Sequence, residues 1–457
     1  MVQWSETEQF GWGRYPRVTT KATRAEGVHD IQRALNDRAG QSVIAFGNGR
    51  SYGDAALIRD GRSILMRRLN RLLEFDYQTG WLKCEAGVTL RDLIATFVPR
   101  GFFPPVVPGT QLVTVGGAVA NDIHGKNHHV DGTFSDHVRR MEILTASGEI
   151  VACGPELESE LFWATVGGLG LTGLILTVEF KLLPIASPFI EMESIRVENL
   201  DEFFEINAES SDFTHTVSWI DSVTTGAALG RGIFMRGKHA PADAPVSSGL
   251  MSKITAAVGP LLNVPFDAPN WAMNQLSMKL FNFAYFRKHP KGKRETRTHY
   301  EPFFFPLDAI ANWNRIYGPR GMLQYQLVVP NEPDHRTIRT VLSTVTDAGM
   351  ASFLTVIKEF GPTVHGGLSF PQPGITLALD FPNHGAPLFE LLNRLDDIVC
   401  DAGGRVYLGK DARLSPEHFR RMYPDWGTWK SVRDRWDPDE IFQSELSRRL
   451  GLSGGEP

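Results

Sequence analysis

A short apolar run, Ser42-Val43-Ile44-Ala45-Phe46, gives way at once to Gly47-Asn48-Gly49-Arg50-Ser51-Tyr52-Gly53-Asp54. So short an apolar run predicts a buried strand, and the glycines predict a turn through conformations that other residues avoid. Such a turn aims successive backbone N–H groups into one concavity, which makes an anion site, and Arg50 and Ser51 add donors. A pyrophosphate is the expected guest. The spacing departs from two familiar phosphate loops, because Gly53 falls one residue too late for G-x-G-x-x-G and no Gly-Lys-Ser/Thr closes a P-loop. A second stretch, Pro108-Gly109-Thr110-Gln111-Leu112-Val113-Thr114-Val115-Gly116-Gly117-Ala118-Val119-Ala120-Asn121-Asp122-Ile123-His124-Gly125, opens a helix of small residues. The N-terminus of such a helix favours negative charge, and its small side chains let a ligand approach. Alone, either loop also reads as a glycine-rich surface turn. As a pair, each beside a buried strand, they suit one extended dinucleotide gripped from both sides.

Four further places carry chemistry-bearing side chains. His124-Gly125-Lys126-Asn127-His128-His129 is rich in imidazole, but no cysteine or carboxylate stands at a metal-partner spacing. No metal is expected; the histidines either close over a ligand or, for His128 and His129, serve the structure. Lys358 interrupts an apolar strand pattern, which is hard to explain without an anionic partner. Gln324 and Gln326 share one face of a predicted strand, either as ligand-binding groups or as the wet side of an edge. Gly404-Arg405-Val406-Tyr407-Leu408-Gly409-Lys410-Asp411 reads as a strand ending in a lysine, Lys410, with Asp411 beside it as a simple ion-pair alternative.

The bulk numbers bound the class. A chain of 457 residues with 42% hydrophobic and 22% charged residues is long enough for two domains and a large core. A net charge of −5 supplies no global basic field, so a nucleic-acid partner is not expected. The three cysteines, Cys84, Cys153 and Cys400, are far apart and form no C-x-x-C, so reduced thiols are expected. The first residues lack the pattern of a signal peptide, and no run reaches the roughly 18 apolar residues of a spanning helix. A cytoplasmic or peripherally membrane-associated protein follows as the expectation.

The elements that position these groups can be placed from pattern alone. A helix over 24–39 precedes the first loop, and strands are expected at 63–66 and 81–85. Thr89 caps a helix with Asp92 three residues on. Val138 to Cys153 reads as a hairpin turning at Ser147-Gly148, and a helix near 161–166 leads into a strand from Leu174 to Leu182. Beyond Pro184, strands at 189–196, 214–221, 323–329, 352–358 and 375–381 alternate with helices near 200–208, 333–349 and 386–402. This predicts an antiparallel sheet with helices on one face. Residues 225–302 read as an irregular, mobile loop region. Within it, aromatic residues at 281–286 stand beside Arg287, Lys288, Lys291, Lys293, Arg294 and Arg297, so 280–297 reads either as an anionic-membrane contact or as a solvated loop.

The paired loops resemble the FAD-binding domain of the vanillyl-alcohol-oxidase/p-cresol-methylhydroxylase superfamily. Nearly the whole chain is similar to the flavoprotein oxidases of decaprenylphosphoryl-ribose epimerisation within it. That resemblance is carried by Gly11-Trp12-Gly13-Arg14, the two loops, the run 124–129, Glu160 to Gly168, Gly318-Pro319, Leu323-Gln324-Tyr325-Gln326, Leu368 to Pro371, Asp380-Phe381-Pro382 and Lys410-Asp411. It implies an α+β, two-domain FAD-linked oxidase. Residues 1–186 form the FAD-binding domain, 187–405 the substrate domain, and 406–457 a segment returning to the first.

The resemblance implies oxidation of the C2 hydroxyl of a polyprenylphosphoryl ribose, with a separate NAD(P)H-dependent short-chain reductase acting on the keto product. An oxidase of soluble alditols or aldonolactones is the alternative, and a flavin-binding scaffold without catalysis a second. The cofactor contacts implied are Ala45, Gly47, Asn48, Gly49, Arg50, Ser51, Tyr52, Gly53, Asp54, Gly109, Thr114, Val115, Gly116, Gly117, Asn121, Asp122, Ile123, His124, Ile175, Tyr407 and Lys410. Lys410 matches the lysine beside the flavin and is the leading catalytic residue, with His124 or Tyr52 assisting proton transfer. Lys358, Gln326 and Gln324 match substrate-facing positions, as does Ala378, where many relatives have cysteine. Thr376 and Phe304 replace an asparagine and a tyrosine. Thiol-directed inhibitors should therefore not capture this chain. Covalent relatives often carry histidine where Arg50 stands, and arginine cannot form that link, so non-covalent FAD is expected.

Overall fold

The computed structural model describes residues 2–242, 260, 262–350, 352 and 354–454. Three larger sheets carry the architecture. The first runs in the order Ser5–Phe10, Arg17–Arg24, Arg62–Leu65, Val43–Phe46, with one antiparallel pair followed by two parallel ones. Its last strand delivers the first glycine loop. The second is antiparallel, in the order Leu72–Phe75, Trp81–Glu85, Leu174–Lys181, Val138–Leu144, Ile150–Cys153. The expected hairpin is present, with Met141 opposite Cys153 and Leu144 opposite Ile150. The strands Ser5–Phe10 and Leu72–Phe75 escape the sequence pattern because most of their residues are exposed, leaving no apolar alternation.

Helix starts follow their capping chemistry. Thr89 and Asp92 form a reciprocal capping box at the head of Leu90–Phe97. Thr114 caps Val115–Ala120 by accepting from the Gly117 amide at 3.2 Å, which fixes the second glycine loop against the second sheet.

The third sheet has eight antiparallel strands, in the order Lys293–His299, Phe189–Val197, Gly232–His239, His215–Ile220, Thr355–Phe360, Gly374–Pro382, Met322–Val329, Arg405–Val406. Side chains alternate between its faces. Leu323, Tyr325, Leu327, Ile357, Ile375, Leu377 and Leu379 enter one large core together with residues of the helices Leu200–Ala208, Arg336–Asp347 and Ala386–Asp401. The opposite face is left for the site.

Residues 225–302 depart from the expected mobile loop region. They contain the strand Gly232–His239, the helix Gln275–Lys288 and the edge strand Lys293–His299. The edge strand has no apolar period because cross-strand ion pairs hold it: Arg297 to Glu191 at 2.8 Å and Lys293 to Glu193 at 3.1 Å. Residues 243–259 and 261 lie outside the described residues. The strand expected at 404–411 shrinks to Arg405–Val406, paired with Val328 and Leu327. Its continuation turns into the helices Pro416–Met422, Trp426–Trp436 and Glu445–Arg449. Phe442 then bridges to Val43 beside the first loop.

Candidate functional site

A cavity of about 770 Å³ lies between the two glycine loops and the bare face of the large sheet. The loops meet directly, since Asn48 Nδ2 donates to the Leu112 carbonyl at 2.7 Å. Gly49 takes φ +59°, a left-handed conformation that suits glycine. Gly53 packs backbone to backbone against the segment after the sheet, where an added Cβ would fall 1.7 Å from the Asp411 carbonyl oxygen. Arg50 lies 4.4 Å over the Trp12 ring and donates to the Asn48 carbonyl, so its guanidinium is held in place. Asp308 accepts from the Gln111 amide at 2.8 Å and the Thr110 hydroxyl at 2.7 Å, buttressing the second loop from another part of the chain.

The sheet supplies the opposite wall through its register. Gln326 stands opposite Ala378 and Ala378 opposite Val356, while Thr376 faces both Val328 and Lys358 across its two neighbours. Gln324 pairs with Asp380. Period-two alternation brings Gln324, Gln326, Val356, Lys358, Thr376 and Ala378 to the cavity together. Tyr407 closes one side, its hydroxyl donating to the Asn121 carbonyl at 2.8 Å.

At the centre, His124 and Gln326 touch, Nε2 to Nε2 at 2.8 Å. His124 is 6% exposed and ringed by Phe360, Phe370 and Tyr407. Burial, reinforced by the nearby Lys358, holds its imidazole well below the usual range, so it is neutral at physiological pH. Its Nδ1 has no protein partner among the described residues. Lys410 Nζ stands 4.0 Å from the centre of the Tyr52 ring. Burial pushes the Tyr52 hydroxyl well above its ordinary value, so it remains a phenol.

Asp380 completes this cluster. Its carboxylate has no exposure, and one oxygen accepts from Gln324 Nε2 at 2.5 Å. Burial raises it to about 7, opposed by the Gln324 hydrogen bond and by Lys410. Burial lowers Lys410 to about 8, and Asp380 opposes that fall. The two therefore share a charge balance inside the cavity wall. Asp380 carries the signal that marks Lys358, a lone charge in an apolar strand, and its role is the principal omission of the sequence expectations.

Of the residues named from sequence, Ala45, Gly47 through Gly53, Gly109, Thr114, Gly116, Gly117, Asn121, Ile123, His124, Ile175, Gln324, Gln326, Lys358, Ala378, Tyr407 and Lys410 all line the cavity, as do Thr376 and Phe304. Three face elsewhere. Asp54 pairs with Arg449, Nη2 to Oδ1 at 2.9 Å, and is 3% exposed. Asp122 accepts from the Ser369 hydroxyl at 2.6 Å within the protein. Val115 points into the hydrophobic core of the second sheet. The histidine-rich run also splits: His128 Nδ1 accepts from the Gly361 amide, while His129 Nε2 meets the Phe213 carbonyl. Lys126, from the same run, lines the cavity.

The residues present fit a flavin dinucleotide. Both glycine loops line the cavity, together with Arg50 and the cations Lys358 and Lys410, so backbone and charged donors for a dinucleotide stand around one space. The comparisons agree. Residues 16–154 match the FAD binding domain family, and residues 382–450 match the D-arabinono-1,4-lactone oxidase family. The chain is 38% identical over 451 residues to decaprenylphosphoryl-beta-D-ribose oxidase of Mycolicibacterium smegmatis, covering 97% of each chain. It is 23% identical to L-gulono-1,4-lactone dehydrogenase of Mycobacterium tuberculosis over 95% of each. A 31% identity to L-gulonolactone oxidase of Bos taurus is confined to 40% of each chain.

Proposed function

The chain belongs to the family of FAD-dependent oxidoreductases that includes decaprenylphosphoryl-beta-D-ribose oxidase, and on that premise we propose that it oxidises the C2 hydroxyl of a polyprenylphosphoryl-β-D-ribose to the 2-keto sugar. The observation that carries this reading is the near-full-length 38% identity to that oxidase, set against only 23% to the full-length lactone dehydrogenase. FAD, when bound, supplies the hydride acceptor.

The chain's own groups have distinct tasks. Lys410 holds a positive charge where negative charge develops on the cofactor, and Tyr52 beneath it donates a hydrogen bond. His124 is neutral, carries its ring hydrogen on Nδ1, and donates it to a sugar oxygen, which orients the hydroxyl for oxidation. That tautomer is set by Gln326, whose side-chain nitrogen donates to His124 Nε2 at 2.8 Å. Lys358 and Gln326 meet sugar or phosphate oxygens. Arg50, engaged with Trp12 and Asn48, stands where covalent relatives place their linking histidine, so FAD is held non-covalently. Acid precipitation should then leave all the yellow colour in the supernatant; colour in the pellet would sink that assignment.

The keto product calls for an NAD(P)H-dependent short-chain reductase to complete epimerisation to an arabinose donor for cell-wall arabinan. Contact with a lipid surface is supported by the helix Gln275–Lys288, which exposes Leu276, Leu280 and Phe283 and ends in Arg287 and Lys288. Lys293 and Arg297, by contrast, are engaged in ion pairs. Among the described residues, no helix is long and apolar enough to cross a membrane.

The deciding experiment is anaerobic addition of a short-chain polyprenylphosphoryl-β-D-ribose to the FAD-loaded protein. Bleaching of the flavin band is expected. Bleaching by gulonolactone or xylitol instead would establish the lactone or alditol alternative, which the match at residues 382–450 favours.

A further inference from the structure

Among the described residues, two cations lining the cavity have no carboxylate counter-charge. Lys358 Nζ donates to the Gly125 carbonyl at 3.4 Å, and Lys126 Nζ donates to the Phe303 carbonyl. Lys358 thus reaches the backbone of the residue before Lys126, its charge is felt by Lys126, and both residues line the cavity. An ammonium has three N–H donors, so each keeps two that no protein oxygen takes up among the described residues. No carboxylate lies within ion-pair distance of either, again among the described residues; Lys126 sits 4.4 Å from the centre of the Phe303 ring instead.

The groups that face them are also basic. Lys358 is felt by His124, His128 and Lys410, and Lys126 by His215. Burial, helped by Lys358, draws Lys126 down to about 7, and burial alone draws Lys358 to about 8. A pair of desolvated ammonium groups is costly unless an anion joins them. Hydroxyl groups of a neutral sugar do not relieve that cost.

We propose that Lys126 and Lys358 form an anion subsite on the sheet side of the cavity that holds the phosphate of a lipid-linked sugar phosphate. The inference deepens the reading of the substrate above and rests on it. Phe303 and Phe304 border Lys126, with ring centroids 4.4 and 5.9 Å from its Nζ, and Phe304, which lines the cavity, presents an apolar surface to the first carbons of the lipid. Lys410 and Asp380, on neighbouring strands and turns, are left for the oxidation. One end of the substrate is thereby fixed by charge while its ring meets His124 and Gln326.

The test uses the full-length, FAD-loaded chain and three probes: farnesyl phosphate, farnesol and inorganic phosphate. Calorimetry in buffers of different ionisation enthalpy reads affinity and proton uptake together. An anion between two lysines raises both, so farnesyl phosphate should bind with proton uptake between about pH 7 and 8. Lys126→Met and Lys358→Met should each weaken farnesyl phosphate by about tenfold or more and leave farnesol unaffected. Unchanged farnesyl phosphate affinity in both variants overturns the subsite, and so does the absence of proton uptake in the unaltered chain, a readout that needs no variant to fold. Inorganic phosphate binding as tightly as farnesyl phosphate overturns the lipid-linked assignment. No turnover is involved. A chain that binds farnesyl phosphate yet is not bleached by the ribose compound loses the oxidation reading and keeps the subsite.

Discussion

Gln326 and His124 touch at 2.8 Å although 202 positions separate them in sequence. One comes from the large sheet and the other from the loop that follows the second glycine turn, so this contact joins the two halves of the site. If Gln326 sets the His124 tautomer, Gln326→Met should slow substrate-dependent flavin reduction by about 100-fold while FAD content stays near that of the parent chain. Stopped-flow absorbance under anaerobic conditions measures it. Unchanged reduction rates would mean that Gln326 does not orient His124 toward the substrate.

The Lys410–Asp380 balance predicts a pH effect with a definite sign. Lys410 loses its proton near pH 8, held there against burial by Asp380. Replacing Asp380 by Asn removes the supporting charge, so Lys410 deprotonates at lower pH. The alkaline limb of the flavin-reduction profile should move to lower pH by about 1 unit or more. A profile that keeps its alkaline limb, only scaled down, would make Asp380 a structural residue.

Gly53→Ala forces a methyl group to within 1.7 Å of the Asp411 carbonyl oxygen. A Cβ has no torsion that moves it and the carbonyl belongs to the backbone, so neither can rotate away. The first loop must then shift relative to Lys410, and FAD affinity should fall by at least about tenfold. Flavin retention on gel filtration reads the loss. Gly27→Ala, with no atom near the added carbon, is the control.

Arg449 is a half-buried clamp on two buried carboxylates. It donates at 2.9 Å to both Asp54 and Asp411, each with a side chain only 5% exposed. Arg449→Met leaves two carboxylates without their cation and should cost about 3–5 kcal/mol of stability. Denaturant unfolding measures it, with the loss smaller at low pH, where Asp54, already raised by burial and now without its cation, takes up a proton.

Much of this was legible in the sequence. Strong apolar alternation marked the central strands of the large sheet, and Lys358 stood out because a charge interrupted that alternation. Asp380 carries the same signal, but its partnership with Lys410 depends on two segments meeting across a turn. The strand Lys293–His299 was hidden because its stability comes from Glu191 and Glu193 on a neighbour, not from its own apolar face. In the run 124–129 the imidazoles dominate the pattern, yet His128 and His129 serve backbone groups while Lys126 reaches the cavity. Asp54 and Asp122 illustrate the limit of motif reading. Both adjoin glycine loops, and both turn inward to Arg449 and Ser369.

The close packing of Gly53 against Asp411 has a consequence for biosynthesis. The first half of the FAD cradle leaves the ribosome long before the residues that back it, and synthesis runs at about 5–20 residues per second. A nascent chain that stops short of Asp411 has the glycine loops without their floor and without Lys410. Stable loading of the flavin must therefore wait until nearly the whole polypeptide has been made, which makes cofactor retention a check on completed translation.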